Sequence, residues 1–174
     1  MSVIQEFLEQ IDVSGLDVAL LPDELKAELC VRFPFPTSLR DKPRAQAEMV
    51  HRSYSVLWQH GTPLPAGTVR TDSLTDPSAN PWPSSIATLL RIADVHVFEQ
   101  MRIASGVSWV TGVKTNVREL VMSRNRIAHG NDTVSVTADD VRRLMQWATR
   151  FARASDEGLG IKLQELTGTA WAAS

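Results

Sequence analysis

Apolar residues three and four positions apart recur along nearly the whole of this chain, and that spacing commits it to helices. On an α-helix positions i, i+3 and i+4 share one face, whereas a half-buried strand needs strict alternation. Ile4, Phe7, Leu8 and Ile11 form the first stripe, broken at Ser14 and Gly15. Pro22, Asp23 and Glu24 read as the start of a second helix, with proline and acids in the first turn, where unpaired N–H groups favour them. It carries Leu25, Leu29 and Cys30 on one side and is ended by Pro34 and Pro36. A third helix is predicted over 43 to about 60, with Ala47, Val50, Tyr54, Leu57 and Trp58 as its stripe.

Residues 61–85 hold Gly61, Pro63, Pro65, Gly67, Pro77, Pro81 and Pro83, so a long loop or insert is expected there, with Trp82 folding back onto the core. A cap at Ser84 or Ser85 opens a helix to about 104, with Ile86, Leu89, Leu90, Ala93, Val97 and Met101 along one face and Gly106 closing it. A short link containing Trp109 and Gly112 leads to a helix over about 114–128, striped by Val117, Leu120 and Val121 and terminated by Gly130. Thr137 with Asp140 three residues later has the pattern of a capping box, ahead of Val141, Leu144, Met145, Ala148 and Phe151. A weak last helix is expected over 161–166, and 133–136 is open to an extended reading. The sum is an all-α antiparallel bundle of about five to six helices in a single domain over 1–174.

Composition agrees with an ordinary folded domain: 174 residues, 43% hydrophobic and 22% charged, with a formal net charge of −2. The charge is polarised. Glu6, Glu9, Asp12, Asp17, Asp23, Glu24 and Glu28 crowd the start, while Lys114, Arg118, Arg124, Arg126, Arg142, Arg143, Arg150 and Arg153 gather in the second half, so a local basic patch for an anionic partner is open. Cys30 is the sole cysteine and, in apolar company, reads as a small buried hydrophobe. With no basic, apolar leader and no run of about 18 apolar residues, the expectation is a cytoplasmic protein without a membrane span.

Strong catalytic signatures are missing: no H-E-x-x-H, no Cys-x-x-Cys, no phosphate-binding glycine loop and no G-x-S-x-G. His51, His60 and His96 have no second ligand at metal spacing, so neither a metal nor a cofactor is expected. The segment Ser123-Arg124-Asn125-Arg126-Ile127-Ala128-His129-Gly130 is where unlike polar groups concentrate at the end of an apolar helix face. Arg124 follows Leu120 and Val121 by four and three residues and so continues the apolar stripe. A permanent cation there is costly unless it pairs, faces a cleft or meets another subunit. His129 lies in the last turn, where the helix dipole favours a cation and two nearby arginines oppose one. Five residues of helix rotate it about 140° from Arg124. Distortion of the terminus, or a second copy across a two-fold axis, would be needed to join them; a plain helix cap at His129 with Arg124 and Arg126 in water is the other reading.

The run LVMSRNRIAHG resembles the HEPN motif, an arginine and a histidine separated by four to six residues, here four. Its Arg-Asn-x-Ile-Ala-His-Gly form is similar to that of two branches of the superfamily, the RiboL-PSP branch and a sister branch, both predicted RNases of prokaryotic conflict systems. The resemblance implies a HEPN-like two-fold homodimer through the helix at about 114–130, with the motifs of both copies lining one cleft. It further implies a metal-independent RNA endonuclease that leaves 2′,3′-cyclic phosphates. His129 would be its general acid or base, Arg124 would stabilise the phosphorane-like charge, Asn125 would orient the cleft, and Arg126 would bind the substrate backbone. The implied partners are RNA and an antitoxin or defence-system protein, with no membrane.

Two departures limit what carries over. Asn131 stands where related toxins have a tyrosine two residues after the histidine, so adenylylation of that tyrosine is not implied. Glu48, Asp94 and Glu99 are all candidates for an acidic residue supporting Arg124, and the sequence does not choose among them. The alternative function is a non-catalytic HEPN dimer acting as an RNA-binding or protein-interaction scaffold. Trp109, Trp147 and Phe151 are aromatics at helical spacing, which read first as core and second as a partner surface.

Overall fold

The computed structural model describes residues 3–70, 74, 82–130 and 136–171. Among these the chain forms seven α-helices and three short 3-10 turns, and its sole β pairing is the isolated bridge between Asp17 and Pro63. The fold is all-α, as the apolar spacing predicts. Its contacts divide into two compact units: Met1–Pro77 with Ile92–Asp94 and Leu159–Ser174, and Ser78–Arg91 with Val95–Gly158.

In the first unit, α1 (Val3–Val13) buries Phe7, Leu8 and Ile11, the predicted stripe, and α2 (Asp23–Val31) buries Leu25 and Leu29. Cys30 is only half-buried, and desolvation pushes its thiol pKa up. The expected third helix is shorter than its stripe. α3 (Pro43–Tyr54) passes into a 3-10 turn at Ser55–Trp58. In a 3-10 helix residues three apart eclipse, which sets Leu57 on the side of Tyr54. Both are buried, while Trp58 remains exposed. Phe33 supports Tyr54 edge-on, with ring centres 5.5 Å apart.

The acids of the first segment have structural work. Asp12 accepts backbone N–H bonds from Gly67 and from Val69, the latter at 2.7 Å, and Asp17 caps the turn at Val18–Leu20 while accepting the Gly61 N–H at 3.0 Å. The described start of the proline- and glycine-rich segment is therefore irregular but pinned. Its other end becomes helical at Pro83, earlier than residue 85.

In the second unit, the single helix expected over 84–104 is two: α4 (Pro83–Ile92) and α5 (Val97–Ser105). The break is a C-terminal motif that needs one residue in the left-handed region, and Asp94 supplies it with φ +58°. The Val95 N–H then reaches back to the Leu90 carbonyl at 3.0 Å, and both of those side chains are buried. Gly106, φ +87°, ends α5 as predicted and turns directly into α6 (Val107–Ala128), which starts well before residue 114.

Gly112 lies inside α6, where an added Cβ would come within 2.5 Å of the Trp147 ring on α7 (Ala138–Thr167). Arg150 over Trp109, Trp147 against Gly112, and Arg143 bonded to Asn116 and Glu119 step backwards along α7 as they step forwards along α6. The two helices are therefore antiparallel. α7 begins with the predicted box: the Asp140 N–H donates to Thr137 Oγ1 at 3.1 Å, and the Thr137 N–H donates to Asp140 Oδ2 at 3.2 Å. It runs on through Gly158, where an added Cβ would meet Val95 at 2.7 Å, and absorbs the segment expected as a separate last helix. Residues 133–135 of the stretch open to an extended reading lie outside the described residues.

Candidate functional site

α6 brings the motif to the surface because its buried stripe outlasts the core beneath it. Val113, Val117 and Val121 are buried, and one turn further along the same stripe Arg124 is exposed, as are Ile127 and Ala128. Ile127, 59% exposed, leaves an apolar patch beside the Arg124 cation. The helix then ends on schedule. His129 takes the cap position with φ −93° and ψ 13°, its N–H still donates to the Asn125 carbonyl at 3.0 Å, and Gly130 leaves with φ +69°.

Of the four residues singled out by the sequence, the structure brings two together. Arg124 Nη1 donates to Asn125 Oδ1 at 3.1 Å, and Asn125 is half-buried. His129 is exposed and makes no side-chain hydrogen bond among the described residues. No distortion joins it to Arg124: the helix is unbroken between them, so the two side chains leave the axis about 140° apart. Within one copy the motif is split over two faces. Arg126 is exposed and lines a groove of ≈ 850 Å³ with Trp82, Phe98, Lys114, Arg118, Glu119 and Met122.

Among the described residues each of the three candidate acids has a basic partner of its own. Glu48 pairs with Arg44 at 3.1 Å, Asp94 with Lys162 at 2.8 Å, and Glu99 with Arg102, whose Nε donates at 2.9 Å and holds the Glu99 carboxyl below its ordinary pKa. Each forms its pair within its own unit, and the first and last are neighbours on one helix. Asn131 lies outside the described residues. Among the described residues no group of three or more His, Cys, Asp or Glu is assembled that could hold a metal ion, and no helix is long and apolar enough to cross a membrane.

Sequence reasoning missed the groove. Lys114 and Arg118 stood in it only as part of a basic half, and Trp82, half-buried, lies with the Arg118 guanidinium 5.8 Å from its ring centre. The signal was present: Lys114, Arg118, Met122 and Arg126 are four apart and share a face that is not the core stripe.

No curated protein and no solved structure matches the chain significantly. A family model does: the RiboL-PSP-HEPN model matches residues 68–160, just over half of the chain. The matched span takes in α4, α5, α6 and the greater part of α7, and so covers the second unit and the whole Arg124–His129 segment. An all-α chain whose matched span carries Arg-Asn-x-Ile-Ala-His-Gly at the end of its central helix is a HEPN protein, and it belongs to the RiboL-PSP-HEPN family.

Proposed function

We propose that this protein is a metal-independent RNA endonuclease acting as a two-fold homodimer, and that it serves as a toxin or effector of a prokaryotic toxin-antitoxin or antiphage system. The observation that carries the reading is the split motif. One helix presents the Arg124–Asn125 pair on one side and His129 on the other, with exposed Ile127 beside the arginine. A second copy packed along the ends of α6 would cover that apolar patch and set Arg124 of one protomer facing His129 of its partner.

In such a cleft the 2′-hydroxyl of the substrate gives its proton to one imidazole and attacks the adjacent phosphorus. The bond from phosphorus to the 5′-oxygen breaks, and that oxygen takes the proton back from the same imidazolium, leaving a 2′,3′-cyclic phosphate and a 5′-hydroxyl. Arg124 carries a permanent charge and a planar fork of donors suited to the developing negative charge on the phosphoryl oxygens. Asn125, accepting from Arg124 Nη1, holds that fork in place. The conflict-system setting rests on family membership alone.

Purified wild-type and His129→Ala protein, incubated with total cellular RNA in EDTA, test the reading. Fragments with cyclic-phosphate ends are expected from the wild type only, with a loss in rate of at least about a hundredfold in the variant. Intact RNA in both samples would overturn the nuclease and leave a non-catalytic HEPN dimer that binds RNA or a protein partner.

A further inference from the structure

Lys114, Arg118, Met122 and Arg126 form one row along α6, each side chain about 6 Å further along the axis than the last. The row lines the groove together with Trp82, Pro83 and Phe98. Among the described residues its cations are not spent on carboxylates. Lys114 Nζ sits 4.4 Å from the Phe98 ring centre, and Arg118 lies over Trp82. Among the described residues Lys114, Arg118 and Arg126 have no acidic partner, whereas Arg102, Arg142 and Arg143 of the same unit pair with Glu99, Asp139 and Glu119. Glu119 also lines the groove, but its carboxylate is committed to Arg143 at 3.2 Å.

The groove thus holds surplus positive charge in a row beside aromatic rings. A polyanion with flat apolar groups satisfies both features, and single-stranded nucleic acid is that ligand. A duplex hides its base faces, and an acidic peptide would meet the charges while leaving Trp82 without a flat partner. The row also points at the motif: His129 follows Arg126 by three residues and lies within about 60° of it around the axis.

We propose that this groove is a strand-binding subsite for single-stranded RNA, with Lys114, Arg118 and Arg126 on successive phosphates and Trp82 against a base, delivering the adjoining linkage to His129. The inference rests on the RNA-cleaving reading above for its choice of RNA. Its test is binding, so that the two can fail separately. Affinity of His129→Ala protein for a labelled mixed-sequence single-stranded oligoribonucleotide, and for its duplex, is measured across a salt series. Adding Lys114→Gln and Arg118→Gln is expected to reduce the slope of log affinity against log salt by about 1.4, two lost phosphate contacts. Arg118→Lys, which keeps the charge, retains the slope, and Trp82→Ala weakens single-strand binding about tenfold or more. An unchanged slope in the double variant, or duplex bound as tightly as single strand, overturns the subsite. Fragments from wild-type protein together with an unchanged slope would remove the groove and leave the nuclease. No fragments together with the expected slope change would remove the nuclease and leave the groove.

Discussion

At the scale of single residues, Thr137 and Asp140 show how far local chemistry can be read without a structure. A hydroxyl three positions before a carboxylate, ahead of an apolar stripe, is a reciprocal pair of acceptors for unpaired N–H groups, and both bonds form. Thr137→Ala is expected to cost about 1 kcal/mol of stability, seen as a lower urea midpoint. Hydrogen bonds from Thr137 and the Arg143 guanidinium hold the Asp140 carboxyl below its ordinary pKa. A carboxyl depressed in the folded state contributes stability above its unfolded pKa and loses it as pH falls through the folded one. Midpoints compared at about pH 6 and about pH 3 should therefore fall less in Asp140→Asn than in wild type. Arg124 is the contrasting residue. Its place on the stripe flagged an unusual cation, but whether it is buried, paired or exposed depends on where the core ends, and no local pattern records that.

At the scale of elements, stripes predicted where helices lie better than where they stop. The run over 84–104 has no glycine or proline, yet it breaks at Asp94, because an aspartate can take the left-handed position usually marked by glycine. Gly112 misled in the other direction. It reads as a link, but it sits mid-helix so that α6 and α7 can approach, with Trp147 in the space a Cβ would fill. Gly112→Ala gains up to about 1 kcal/mol of helix propensity and must displace a ring packed against Trp109 at 5.7 Å and under Arg150 at 4.9 Å. Overpacking of that kind costs about 1–3 kcal/mol, so the variant is expected to be less stable by about 1 kcal/mol, with an altered near-ultraviolet tryptophan spectrum. A more stable variant would show that Trp147 shifts at little cost.

At the scale of the whole molecule, the proposed dimer makes a demand that one chain does not meet. If Arg124 and His129 act from different protomers, Arg124→Ala and His129→Ala homodimers are each inactive. Mixing them by refolding or co-expression should then create heterodimers with one complete cleft and recover roughly a quarter of wild-type cleavage, since about half the dimers are mixed and each carries one of two sites. No recovery, with heterodimers verified by mass, would place both groups in one protomer. The α-helical class, the helix ends at Gly106 and Gly130, the capping box and the motif with its family were determined by the sequence, because each depends on residues within a turn or two of one another. The exposure of Arg124 at the end of its buried stripe, the sparing of Lys114 and Arg118 from acidic partners among the described residues, the continuation of α7 through Gly158 and the groove beside Trp82 were decided only by tertiary structure. Each turns on which distant side chains share a surface, and spacing along a chain carries no record of that.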